Sequence, residues 1–184
     1  METDELKKVL KIMRFKNNQI KYILCYINSP INIQELYQKI NLLKELNVKN
    51  RIIRLAIEEN PKFLMADLNE IKKIVNYIKS KIPEKEIKKI IECTPQILTM
   101  SLEQLIKNEK ILAEFVSEDR IREIYIYRSG ILKLDNDYLN YKINLIIKNG
   151  FEKNIFKIIM MYPEYFLNFN NDMDYLKKYI LLLC

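Results

Sequence analysis

Basic residues at one fixed spacing are the residues here whose types could do chemistry. Arg54, Lys88 and Arg122 recur every 34 residues, with Phe156 at the next position. Lys21 joins the series if the opening segment is aligned one residue short. Three residues earlier, a second series reads Arg51, Lys85, Asp119 and Lys153, and a third reads Lys39, Lys73 and Lys107. Ammonium and guanidinium groups held in register neutralise phosphates and release their counterions. An arginine fork grips a phosphate at two points. Among 12 tyrosines, Tyr127 in "IYIYRSG" stands beside the first series as a candidate for stacking on a base. Tyr125 falls in an apolar column, and Tyr77 and Tyr179 align with Ile111 and Leu145, which marks them as packing residues. Against the phosphate reading, Glu58, Glu92, Asp119 and Glu123 share the surface, and solvated faces of a lysine-rich chain show basic series of their own.

Other chemistry has little to stand on. The chain has no histidine, and Cys25, Cys93 and Cys184 are too far apart in sequence for a zinc or disulfide framework, so three reduced thiols are expected. With two glycines there is no phosphate-cradling loop, and no special carboxylate or lysine pair marks a catalytic centre. The expectation is a protein that is not an enzyme and uses no cofactor or metal. A net charge of +7 favours an anionic partner.

Such series exist only if repeated elements hold them. Pro61, Pro95, Ser129 and Pro163 are each 34 residues apart. Around them "NPKFLMADLNEI", "TPQILTMSLEQL", "RSGILKLDNDYL" and "YPEYFLNFNNDM" repeat one phrase. Apolar columns keep the interval: Ile53, Ile87, Ile121 and Ile155; Ile57, Ile91, Tyr125 and Ile159; Ile71, Leu105, Leu139 and Met173; Ile78, Leu112, Ile146 and Ile180. Asp67, Ser101 and Asp135 precede helical patterns as N-caps, with Glu70 and Gln104 three residues on completing capping boxes. One repeat reads as a helix from about Leu68 to Ser80, Pro83 at the first position of a second helix ending near Cys93, then a proline-initiated turn. Composition agrees: 49% hydrophobic, 30% charged and five prolines suit long helices.

Helix pairs that need a neighbour to bury their apolar faces stack into an α-solenoid. The expected fold is therefore all-α, about four to five stacked helix-pair repeats of 34 residues, each ending in a short proline-initiated helical turn. Residues 1–184 read as one domain: a degenerate unit at 1–29, repeats at 30–60, 61–94, 95–128 and 129–162, and a half repeat at 163–184. The tetratricopeptide repeat shares the period but needs small residues where its helices cross and a Trp signature, and there is no Trp.

The proline, the spacer and the two apolar residues of "PKFL", "PQIL" and "PEYF", with Ile131 and Leu132 where Ser129 replaces proline, resemble the mitochondrial transcription termination factor (mTERF) repeat family. "IIKNGFEKNIFKIIMMYP" resembles that family's passage through a glycine into the second helix and its closing proline. The resemblance runs from about Pro30 to the C-terminus. It implies two helices and a one-turn helix per repeat, in a curved array that binds DNA or structured RNA in a basic groove, usually in mitochondria or plastids.

The functional expectation is a non-catalytic nucleic-acid-binding protein in regulation of transcription or RNA metabolism, contacting phosphates through Lys21, Arg51, Arg54, Lys85, Lys88, Arg122 and Lys153, with Tyr127 beside them. The alternative is a protein-interaction scaffold that uses a concave surface or the apolar C-terminal helix "YLKKYILLLC" for a partner or a second copy. The start "METDELKKVL" has neither a secretory signal nor the acid-poor look of a transit peptide. No apolar run approaches the roughly 20 residues of a membrane helix. A soluble, intracellular protein is expected, cytoplasmic as written, or of an organelle matrix if this is a processed form.

Overall fold

A computed structural model describes residues 2–167. Among these are eleven α-helices, four 3-10 turns and no strand, the all-α helical-repeat class expected. Met173, Tyr179, Ile180, Cys184 and the rest of the expected C-terminal helix lie outside the described residues. The chain groups into two compact units, residues 1–102 and residues 103 onward.

The N-terminal unit contains α1 (Glu2–Ile12), α2 (Asn17–Cys25), α3 (Ile33–Glu45), α4 (Asn50–Glu59), a 3-10 turn (Pro61–Leu64), α5 (Leu68–Lys81), α6 (Glu84–Cys93) and a second 3-10 turn (Pro95–Thr99). It is built in two layers. The first helices of each pair, α3 and α5, pack side by side, and so do α2, α4 and α6. The reason is the apolar pattern: Ile71, Ile74, Val75 and Ile78 of α5 and Ile87, Ile90 and Ile91 of α6 are all buried. Each such side chain contributes about 1.5–3 kcal/mol when removed from water, and no single pair could cover them all.

The C-terminal unit contains α7 (Leu102–Ala113), α8 (Glu118–Arg128), a 3-10 turn (Ser129–Lys133), α9 (Asn136–Lys148), a 3-10 turn (Glu152–Asn154), α10 (Ile155–Met161) and α11 (Glu164–Leu167). Here α8 packs on α10. Asn136 at the start of α9 donates to Asn108 Oδ1 on α7 at 2.7 Å. The described members of the four apolar columns are buried in both units, none more than 4% exposed.

The recurrent phrase folds as a turn under each helix pair. A proline has no N–H and stops the preceding helix. The second residue after it then closes a tight turn: Phe63 N–H donates to Asn60 O (3.0 Å), Ile97 to Thr94 O (3.1 Å) and Tyr165 to Tyr162 O (3.0 Å). This places Phe63 and Leu64, Ile97 and Leu98, Ile131 and Leu132, and Tyr165 and Phe166 wholly in the core.

The next helix starts from a side-chain cap. Asp67 accepts from the amides of Asn69 and Glu70, and Asp135 from those of Asp137 and Tyr138. Asn32 does the same for α3, accepting from Glu35 N. Three first helices stop alike: Arg14 (φ 67), Asn47 (φ 59) and Gly150 (φ 82) take the left-handed conformation. The residues after them, Phe15, Val48 and Phe151, donate back to Leu10, Leu43 and Ile146. These are Schellman ends, which satisfy carbonyls the helix leaves unpaired.

Three details differ from the sequence reading. Pro83 stands at the N-cap rather than inside α6. Glu70, expected to close a capping box with Asp67, pairs instead with Lys73 at 2.6 Å. Lys39 does not share a face with Lys73 and Lys107. The caps Asn32 and Asp67 are 35 residues apart rather than 34, so one extra residue rotates α3 against the later repeats. Lys39 therefore matches Ile74, Asn108 and Lys142, all buried, while Lys73 and Lys107 face solvent.

Candidate nucleic-acid interface

The second helices carry the cations that could meet a phosphate backbone. In the N-terminal unit, Lys21 on α2, Arg54 on α4 and Lys88 on α6 stand on three helices packed in succession. Lys21 is exposed, and Arg54 and Lys88 are half-buried. Arg51 and Lys85 occupy the exposed first turns of α4 and α6. None of the five makes an ion pair among the described residues. Arg54 Nη1 donates to the backbone carbonyl of Arg14 at 3.3 Å, which leaves the rest of its fork open. Glu58, one of the acids expected on this surface, accepts two hydrogen bonds from Gln19 Nε2 of α2, at 2.9 and 2.8 Å.

The C-terminal unit treats the same positions differently. Arg122 is exposed on α8, but its guanidinium bridges Asp119 (3.1 Å) and Glu118 (3.2 Å) one turn back. At the corresponding position of α10, Phe156 carries the Arg120 guanidinium 4.8 Å from its ring centroid. Lys153 is exposed in the 3-10 turn before α10, because that helix starts only at Ile155. Tyr127 is 51% exposed, whereas Tyr125 is fully buried with its hydroxyl donating to Glu109 at 2.7 Å. Among the described residues, Arg122 is thus the one expected cation that an ion pair holds.

A family model for mTERF matches residues 6–171, most of the sequence. The chain belongs to the mTERF family. Proteins of this family are helical-repeat proteins that generally bind nucleic acid. No curated protein matches the sequence.

Two features of this mTERF chain escaped the sequence reading. The first is a set of buried polar side chains at one first-helix position, Lys39 on α3, Asn108 on α7 and Lys142 on α9, with Ile74 in its place on α5. Lys39 Nζ donates to Leu64 O at 3.1 Å and pairs with Glu35 at 3.2 Å. Glu35 also accepts from Leu68 N, at the start of α5. Asn108 Nδ2 donates to Leu132 O and Leu134 O at 3.0 and 2.6 Å. Lys142 sits with its ammonium 4.4 Å from the Tyr165 ring centroid. A 3-10 turn leaves carbonyls facing the core, and Lys39 and Asn108 satisfy them. The second is a cavity of about 620 Å³ in the N-terminal unit, lined by Ile12, Arg14, Tyr37, Lys44, Arg51 and Arg54 among others. Arg14 lies in a turn and Lys44 on a first helix, so neither shares a period with the basic series.

No helix among the described residues is long and apolar enough to cross a membrane.

Proposed function

We propose that this mTERF-family protein binds DNA or structured RNA by its phosphate backbone, through the second-helix face of its N-terminal unit, and performs no chemistry on it. One observation carries the reading: Lys21, Arg51, Arg54, Lys85 and Lys88 lie on helices packed in succession and make no ion pair among the described residues. Unpaired cations in a row are a cost to a folded protein through mutual repulsion, and an anionic polymer relieves it. Adjacent helices are about 10 Å apart, a spacing at which successive side chains can reach phosphates of one strand. The C-terminal unit offers Arg122 and Lys153 as candidate contacts of its own, with Arg122 the weaker because a phosphate must compete with Asp119 and Glu118. Tyr127 supplies an exposed ring for an unpaired base.

The test is a salt titration of affinity by fluorescence anisotropy, with a duplex and an RNA hairpin. Each lost phosphate contact lowers the slope of log K against log salt by about 0.9 on duplex DNA. Arg54→Gln with Lys88→Gln is expected to lower it by roughly 2, and Arg122→Gln to change it by less than about 0.5. An unchanged slope in the double variant, or binding indifferent to salt, defeats the proposal.

A further inference from the structure

The cavity between the end of α1, α3 and the start of α4 is a second and different basic site. Its lining holds four cations, Arg14, Lys44, Arg51 and Arg54, and no acidic residue. None of the four is ion-paired among the described residues. They converge from three separate segments on one space of about 620 Å³, the size that takes a small ligand. The same space has an apolar wall: Ile12 is 75% exposed and Tyr37 42% exposed, with Met13 and Ile40 beside them. Arg14 is placed there by a backbone that favours glycine, φ 67 at the end of α1, and its own carbonyl is held by Arg54.

We propose that this cavity binds a nucleoside phosphate, with phosphate oxygens among Arg14, Lys44, Arg51 and Arg54 and the base against Tyr37 and Ile12. Three guanidinium forks and an ammonium around one space call for dense negative charge with many acceptor oxygens, which a phosphate group presents. An acidic peptide spreads its single charges over several residues and has no flat ring for the Tyr37 wall. The source is either the phosphorylated end of a nucleic-acid strand or a free nucleotide, and both offer the same chemistry. The proposal does not depend on backbone tracking, although Arg51 and Arg54 border both surfaces.

The experiment compares a short single-stranded oligonucleotide bearing a 5′-phosphate with the same oligonucleotide ending in a hydroxyl, and uses a nucleoside triphosphate and a polyglutamate peptide as competitors. The variants separate the two sites. Arg14→Gly with Lys44→Gln removes cavity cations while giving the left-handed position the residue it favours, so the fold is kept, and circular dichroism checks it. Lys85→Gln with Lys88→Gln touches only the α6 face. The intact protein is expected to prefer the 5′-phosphate, or to bind the triphosphate, by at least about tenfold, the effect of one charge-assisted hydrogen bond. The cavity variant should lose that preference and the α6 variant keep it, even if all backbone binding has gone. A strand-end preference with no triphosphate competition assigns the strand terminus, and competition assigns the free nucleotide; both support the site. No phosphate preference and no triphosphate binding, a preference that survives Arg14→Gly with Lys44→Gln, or competition by polyglutamate equal to the triphosphate each overturns it.

Discussion

At the scale of single residues, the informative side chains are those whose surroundings contradict their type. Lys39 is an ammonium at 2% exposure, held by Leu64 O and Glu35. Replacing it with methionine keeps the volume but leaves the buried Leu64 carbonyl without its donor and removes Glu35's ion pair, so Lys39→Met is expected to cost about 3 kcal/mol in urea unfolding. Lys73→Met, in the series that sequence alone joined to Lys39, should stay within about 0.5 kcal/mol, since Lys73 is exposed and its pair with Glu70 is a surface one. Asn47 tests the helix end: at φ 59, Asn47→Ala should cost about 1 kcal/mol and Asn47→Gly should not. The burial of Lys39 was not legible beforehand. A one-residue difference between the cap of α3 and the proline that follows α4 is invisible to a count that assumes a constant period, yet it rotates a helical residue by about 100°.

At the scale of elements, most of the structure follows from local chemistry, and the sequence showed it. An aspartate before an apolar pattern caps a helix wherever it occurs, and a proline after one ends it. Asp67→Ala and Asp135→Ala should each lower stability by about 1 kcal/mol, because each leaves two amides of its first turn unpaired. A deeper cut, Ile91→Ala in α6, should cost 2–5 kcal/mol by the cavity it opens. Acid should weaken the helix faces. Hydrogen bonds from Lys7, Lys89 and Lys107 hold the carboxyls of Asp4, Glu86 and Glu103 below their usual range. The folded state then binds fewer protons than the unfolded one, so this stabilisation is complete above the ordinary carboxylate range. It is lost as pH falls through the lowered folded values. A thermal melt series from neutral pH into acid should show the midpoint falling only there.

At the scale of the whole molecule, the family assignment and the proposed phosphate contacts rest on repetition. With no histidine, no side chain of ordinary pKa changes charge between about pH 5.5 and 7.5, so affinity for a nucleic acid without terminal phosphates should be flat over that interval while falling steeply with salt. A bell or a step in that range would show that some group outside the basic series governs binding. The sequence by itself determined the helical class, the repeat, the buried columns, the caps and the candidate cations, because helix periodicity, capping and proline stops act over a few neighbouring residues and leave their pattern in the chain. Only the tertiary structure decided which cations keep their charge unanswered. Arg122 meets Asp119 and Glu118 on its own helix, Lys39 sinks against the next turn, and Arg14 and Lys44 are carried to Arg51 and Arg54 from other segments. Whether a charge is neutralised depends on what lies within about 4 Å of it: for Arg122 that is its own helix turn, where several rotamers compete, and for Lys39, Arg14 and Lys44 it is set by packing between elements far apart in sequence.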